Sequence, residues 1–201
     1  DPVIRTTLIE NTGYDLKNLF IQEYPEDDQT CFLASGNAAM DLLIVKELMD
    51  AAQPPIEQSE WFKLYEKPRS DGVYMIGADV AEGVRSDYSV GVVIECKTLR
   101  QVAQIRSNQW SPAQFAQKLA ELGTRFTVRG KPPEIAVERN NHGHACILAL
   151  DAIEHWPNLF EDKDERLGWK TDLVSRPLMI DTFIEALKLM RDFGVVTLQK
   201  R

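Results

Sequence analysis

The chain has 201 residues, of which 44% are hydrophobic and 27% charged, and 23 basic against 31 acidic residues leave a net charge of −8. This composition is typical of a globular protein with one good core, or of one domain with part of another, and no apolar run is long enough to span a membrane. An acidic chain cannot hold nucleic acid by bulk positive charge, so such a partner would require a local basic groove, metal ions or another domain. Cys31, Cys96 and Cys146 lack zinc-ligand spacing, which predicts reduced thiols in a cytosolic protein.

The first part of the chain is weakly patterned. Met40 to Ala52 has apolar residues at helical spacing and predicts a helix, which Pro54-Pro55 ends. We place a domain boundary near Lys67 to Asp71. Because the chain begins at Asp1, we expect it to be a fragment or a trimmed form.

Tyr74 to Ile94 predicts two strands joined by a polar turn. The apolar run of the first strand stops at Asp79, and the second run, Ser89 to Ile94, is rich in β-branched residues. An ionised Asp at the inner end of a strand is costly to bury alone, and a metal ion, or a phosphate with its metal, would offset that cost. The alternative is a structural Asx turn, and this hairpin alone favours neither interpretation.

The next strand and helix follow directly. Gln101 to Arg106 predicts a third strand and therefore an antiparallel meander. Ser111 as N-cap and Pro112 at the first position predict a helix that ends at Gly123. Its buried face would consist of Phe115, Leu119 and Leu122.

A second strand–helix pair completes this region. Glu134 to Val137 predicts a strand that ends on Glu138, and roughly His144 to His155 predicts a helix. A strand, a helix and a further strand form a right-handed crossover, so we expect the last strand to lie parallel to the first. The residues expected to be buried in this helix are Ile147, Leu148, Leu150 and Ile153.

Asp79 and Glu138 therefore share the edge of the sheet at which strands end and ligands bind. Two carboxylates at neighbouring strand ends can share Mg²⁺ or Mn²⁺ ions, which prefer oxygen ligands. The structural alternative for Glu138 is an ion pair with Arg139 or a lysine. The meander, helix and parallel strand together indicate a ribonuclease-H-like fold.

Several stretches also carry a family resemblance. They are Gly77 to Gly83, Ser86 to Ser89, Ala136 to Gly143, Leu167 to Thr171 and Ser175 to Ile180, with Gln22 to Pro25 and Cys31 to Gly36 before them. In this order and spacing they resemble the nuclease domain of the large terminase subunit of tailed double-stranded DNA bacteriophages. The two N-terminal stretches look like the junction between the packaging ATPase and the nuclease. The resemblance implies an ATPase tail and linker at 1–68 and a nuclease domain at 69–201.

The resemblance implies a fold and an activity. The fold is ribonuclease-H-like, of the resolvase and integrase type, with a mixed sheet that contains a three-strand meander and is flanked by helices. The activity is endodeoxyribonuclease cleavage of concatemeric viral DNA with two Mg²⁺ or Mn²⁺ ions. Asp79 and Glu138 match the metal-binding catalytic acids, and Asp87 in the turn is a further candidate ligand.

The family's third acid, in an Asp-rich motif near the C-terminus, has no match. We expect the C-terminal part that carries it to be missing, so that the fragment cleaves poorly. Asp181 is a candidate substitute, although a carboxylate in the first turn of the predicted helix Pro177 to Phe193 is favoured by the helix dipole in any case. Gly194 to Arg201 predicts a late strand.

Other residues have candidate roles at such a site. His142 and His144 are candidate ligands or proton shuttles, or simply residues of the turn that enters a helix. Lys170 and Arg176 are candidate contacts to the DNA backbone, and Glu161 to Arg166 predicts a solvated hairpin tip. The resemblance implies as partners double-stranded DNA, a portal protein, a small terminase subunit and an ATPase domain in the same parent chain, all in the cytoplasm of an infected bacterium.

Two other classes of function remain open. Actin-like ATPases and sugar kinases also begin with a strand, an acidic turn and a strand, but they require a second Gly-rich phosphate loop and a duplicated domain, which this sequence lacks. A non-catalytic docking fragment of an assembly protein would bind no metal.

Overall fold

A computed structural model of the chain describes residues 42–81 and 87–193. The chain divides into two compact units, Asp1–Glu47 and Leu48–Arg201. Helix α1 (Leu42–Ala51) matches the helix predicted from Met40 to Ala52. Within the described ranges, no helix has both the length and the apolar content that a membrane span requires. The predictions for Cys31, the two N-terminal motifs and the late strand lie outside the described residues.

The second unit contains one six-stranded mixed sheet. Its strands are β1 (Glu57–Gln58), β2 (Phe62–Leu64), β3 (Tyr74–Asp79), β4 (Ser89–Glu95), β5 (Arg100–Ser107) and β6 (Glu134–Val137). They lie in the order β1-β2-β5-β4-β3-β6. The predicted meander of β3, β4 and β5 is confirmed, and β6 runs parallel to β3 as predicted.

Strand β2 lies before the predicted domain boundary but belongs to the main sheet. The boundary expected between residues 68 and 69 is wrong, because β2 pairs with β5 in the same sheet, with Phe62 opposite Ile105. The Leu64 side chain is fully buried in the core of this unit. A strand needs the backbone hydrogen bonds of its neighbour, so β1 and β2 cannot be a linker.

Helices α2 (Pro112–Arg125) and α3 (Asn141–Ala152) contribute the helical half of the core. Helix α2 begins as predicted, with Ser111 and Gln114 forming a capping box. Its predicted face is confirmed, since Phe115, Leu119 and Leu122 are all buried.

Helix α3 begins three residues earlier than predicted, because Asn140 rather than a later residue caps it. The predicted buried face of α3 is confirmed only in part. Ile147 and Leu150 are buried as predicted, whereas Leu148 and Ile153 are 62% and 66% exposed. The expectation that these last two residues are buried is therefore wrong.

A hairpin after α3 extends the sheet beyond β6. Leu159 forms a parallel bridge to Ile135 of β6, and Trp169 forms one to Glu138. Glu161 bridges Leu167 across the hairpin. The predicted hairpin is therefore confirmed, but its tip is not simply solvated. The Asp162 carboxylate accepts a 2.7 Å hydrogen bond from the Arg139 guanidinium, whose side chain is only 9% exposed. Arg139 thus anchors the hairpin through Asp162.

The two faces of the sheet differ in how deeply their residues are buried. One side of β3, with Tyr74, Ile76 and Ala78, is buried in the core, as alternation along a strand requires. The opposite side is the outer face, which we define by five residues that are not buried: Met75, Gly77, Asp79, Val92 and Ala136. A Cβ atom added at Gly77 would meet no atom within 4 Å. The outer face is therefore accessible at the centre of the sheet.

Candidate functional site

The ends of β3 and β6 bring two acidic side chains together. The parallel register pairs Ala78 with Val137, so Asp79 and Glu138 occupy the next position on their strands. The Glu138 N–H donates a 2.8 Å hydrogen bond to the Ala78 carbonyl, which continues the pairing through this position. By alternation both carboxyl groups project from the outer face, and they lie within hydrogen-bonding distance of each other.

The environment of Asp79 disfavours its negative charge. Partial burial raises the pKa of the Asp79 carboxyl, and the charge of Glu138 and the hydrogen bond to it raise this pKa further. Hydrogen bonds from the Val80 N–H and the Asn140 side chain act in the opposite direction. Two like charges at this separation favour either a shared proton or a bound cation.

Asn140 is a site residue that our sequence reasoning did not single out. Its side-chain oxygen accepts a 2.8 Å hydrogen bond from the Gly143 N–H and so caps α3. The same side chain hydrogen-bonds Asp79. The cap fixes the orientation of the amide, and the amide in turn orients the carboxylate. The available sequence signal was an N-cap residue two positions after a strand-end acid.

Gly143 allows the helix to approach the site closely. A Cβ atom at this position would collide with the backbone carbonyl oxygen of Glu138 and would lie 3.1 Å from Oδ1 of Asn140. The first turn of α3 therefore packs against the backbone that carries the second acid. No other residue type fits here without a shift of that backbone.

A cavity of about 310 Å³ adjoins Asp79. Its lining residues are Asp79, Val80, Ala81, Asp87, Tyr88, Asn140 and His142. The polar turn is held at its base, where the Ala81 N–H donates a 3.1 Å hydrogen bond to Oγ of the buried Ser89. Asp87 and His142 thus share a cavity with Asp79, whereas His144 lies exposed on α3.

The remaining predicted site residues lie farther along the chain. Asp181 is exposed, and the expectation that it lies in a first helical turn is wrong, because α4 (Ser175–Phe193) begins earlier than predicted. The Asp172 carboxylate accepts hydrogen bonds from the backbone N–H groups at the start of α4. Lys170 and Arg176 are exposed, and the Lys170 ammonium lies 4.0 Å from the Asp172 carboxylate.

The donor set at the site suits a hard divalent cation. Asp79 and Glu138 offer carboxylate oxygens, which Mg²⁺ and Mn²⁺ prefer, and these ions keep several waters as their other ligands. In residues 42–81 and 87–193, no group of three or more Asp, Glu, His or Cys side chains is arranged to hold a metal. Among these described residues, Asp79 and Glu138 are the carboxylates that the sheet brings together.

We expect Asp79→Asn to stabilise the metal-free protein at pH 7. The folded protein binds the Asp79 proton more tightly than the unfolded chain does, so ionised Asp79 destabilises the folded state. This cost vanishes below about pH 3.9, where the unfolded chain also holds the proton. For an exposed carboxyl the gain is at most about 1 kcal/mol, or about 2–4 °C in Tm.

Thermal unfolding with a chelator at pH 7 and pH 4 measures this difference. Asp164→Asn, an exposed hairpin residue, is the control and should leave Tm unchanged at both pH values. A lower Tm for Asp79→Asn at pH 7 would contradict the electrostatic account.

Solved structures with a similar fold are nucleases of phage large terminases. The large terminase nuclease from thermophilic phage G20c with bound cobalt has a TM-score of 0.58 and 20% identity, covering 83% of this chain and 76% of that chain. The G20c nuclease with bound magnesium has a TM-score of 0.56 with the same identity and coverage. The nuclease domain of the Thermus phage P74-26 large terminase has a TM-score of 0.52 and 19% identity over 78% of this chain and 72% of that chain.

Sequence comparison adds nothing to this structural likeness. No protein-family model matches the chain, and no curated protein sequence matches it. The fold, a mixed sheet flanked by helices, carries the comparison. The chain therefore has the fold of the large terminase nuclease domains.

Proposed function

We propose that this chain is a metal-dependent endodeoxyribonuclease of ribonuclease-H-like fold, which cleaves concatemeric double-stranded viral DNA during genome packaging. The observation that carries the proposal is the contact between Asp79 and Glu138 on the outer face of the sheet. The fold likeness to terminase nucleases supports it, as do the magnesium and cobalt bound in two of those structures.

Asp79 and Glu138 would hold two Mg²⁺ or Mn²⁺ ions. Asp87 and Asp181 are further candidate ligands. Bound ions would activate the attacking water and stabilise the departing 3′-oxygen. The chain's own residues position the acids: Asn140 orients Asp79, and the start of α3 supports the Glu138 backbone.

The proposed setting is the viral packaging motor in the cytoplasm of the infected bacterium. Lys170 and Arg176 are exposed on the chain after the hairpin and are proposed to contact the DNA backbone. The portal protein, the small terminase subunit and an ATPase domain of the same parent chain are the proposed protein partners. The N-terminal unit would include the end of that ATPase domain.

The test combines metal binding with cleavage. We expect Mn²⁺ to bind in calorimetry and to support conversion of supercoiled plasmid to nicked and linear forms, and a chelator to stop the reaction. Calorimetry with ATP should show no binding. Tight ATP binding without cleavage would favour the nucleotide-binding alternative, and absence of both metal binding and cleavage would favour a docking fragment.

A further inference from the structure

Arg106 lies in the same row of the sheet as the acidic pair. Asp79 is paired with Val90, and Val90 is paired with Arg106 on the next strand. Directly paired residues of neighbouring strands project from the same face, so Arg106 and Asp79 share the outer face. Two strand spacings place their Cα atoms about 10 Å apart.

An aromatic ring holds the Arg106 side chain. Its guanidinium carbon lies 3.8 Å from the centroid of the Tyr88 ring, and Tyr88 also lines the cavity beside Asp79. Stacking on the ring covers one guanidinium face and leaves the edge with its N–H donors accessible. Tyr88 therefore links the arginine to the site.

Among the residues that the structure describes, Arg106 has no carboxylate partner. No carboxylate of the described residues lies within 4.0 Å of it, whereas four other arginines have such partners. Those four are Arg69, Arg100, Arg125 and Arg139. In a chain with a net charge of −8, a guanidinium that stacks on a ring and has no carboxylate partner among the described residues is a candidate anion contact.

We propose that Arg106, held by Tyr88, binds a phosphodiester group of the DNA backbone beside the position of the scissile group. This inference rests on the proposed function for the choice of ligand. The acidic pair repels the DNA backbone until cations are bound, and a guanidinium two strands away on the same face offsets that repulsion. A planar guanidinium can donate two parallel hydrogen bonds to phosphate oxygens, which an ammonium cannot do.

Binding of a fluorescent DNA duplex in the presence of a chelator tests the contact without cleavage. We expect Arg106→Gln to weaken binding about tenfold, since a charge-assisted hydrogen bond contributes more than a neutral one. The slope of log K against log salt concentration should become shallower by about 0.9, the value for one phosphate contact.

Arg129→Gln is the matched control. Arg129 is also exposed but lies in the loop before β6, at the opposite end of that strand from Glu138, so neither affinity nor slope should change. Tyr88→Phe keeps the ring and should bind like the wild type, whereas Tyr88→Leu and Arg106→Lys should each lose part of the affinity. Tm measurements establish that every variant is folded.

The outcomes separate this inference from the proposed function. Equal affinity and slope for Arg106→Gln and Arg129→Gln overturn the inference, even if the wild type cleaves DNA with Mn²⁺. A wild type that fails to bind duplex at low salt overturns it too. Inorganic phosphate binding that Arg106→Gln abolishes without any loss of duplex affinity would identify a small-anion site and also overturn it. Reduced duplex binding by Arg106→Gln, in a protein that neither binds Mn²⁺ nor cleaves, supports the contact while the nuclease proposal fails.

Discussion

We expect Asp79→Asn and Glu138→Gln each to reduce Mn²⁺-dependent plasmid cleavage by at least about 10²–10³-fold. The ions would contribute several kcal/mol to the stabilisation of the transition state, and each 1.36 kcal/mol corresponds to a factor of ten in rate. Both replacements keep the size of the side chain but remove an anionic ligand. Initial rates of nicking, together with Mn²⁺ calorimetry, measure the loss.

Glu134→Gln is the control for this experiment. Glu134 begins β6, lies on the same face of that strand as Glu138 by alternation, and stands at the opposite end of it. The Glu134→Gln variant should cleave plasmid at the wild-type rate. Cleavage by Asp79→Asn and Glu138→Gln at the rate of Glu134→Gln would remove the assignment of the acidic pair.

Asn140 adds a diagnostic feature to this experiment. If Asp79 is held by the Asn140 amide, Asp79→Asn loses the charge but can keep the hydrogen-bonded geometry. The variant should therefore be folded, and more stable than the wild type without metal. A protein that gains stability while losing activity separates a functional carboxylate from a structural one.

The second large effect concerns Gly143→Ala. In an ordinary first helical turn alanine is more favourable than glycine by about 0.5–1 kcal/mol. Here the added Cβ would collide with the Glu138 carbonyl oxygen, so we expect a loss of about 1–3 kcal/mol, as for an overpacked core. Tm should fall by about 2–4 °C per kcal/mol, and Mn²⁺ affinity should fall with it because the Glu138 backbone must shift.

Gly77→Ala is the matched control. Gly77 lies in β3 two residues before Asp79, but an added Cβ there meets no atom within 4 Å. We expect an unchanged or slightly raised Tm, since glycine weakens a strand. Should Gly143→Ala raise Tm as in an ordinary helix, the close approach of α3 to Glu138 would be incorrect.

Much of the fold could be predicted from local patterns. The N-cap at Ser111, the strand Glu134–Val137 and the meander could be predicted because capping and strand alternation depend on neighbouring residues. The start of α3 was misplaced because the residues between Glu138 and His144 were interpreted as a turn, whereas Asn140, two positions after Glu138, caps the helix. Leu148 and Ile153 were misassigned for another reason: Leu148 lies about 100° around the helix from the buried Ile147, and Ile153 is the C-cap.

The sequence by itself determined the type of residue at each strand end, the order of the elements and the capping signals, because these depend on residues close in the chain. Only the tertiary structure decided that β1 and β2 join the sheet and that Asp162 is the partner of Arg139. It also decided that Asp79 and Glu138 share one face and that Arg106 lies in their row. These facts depend on strand register, and a shift of one residue in register would move each side chain to the opposite face of the sheet.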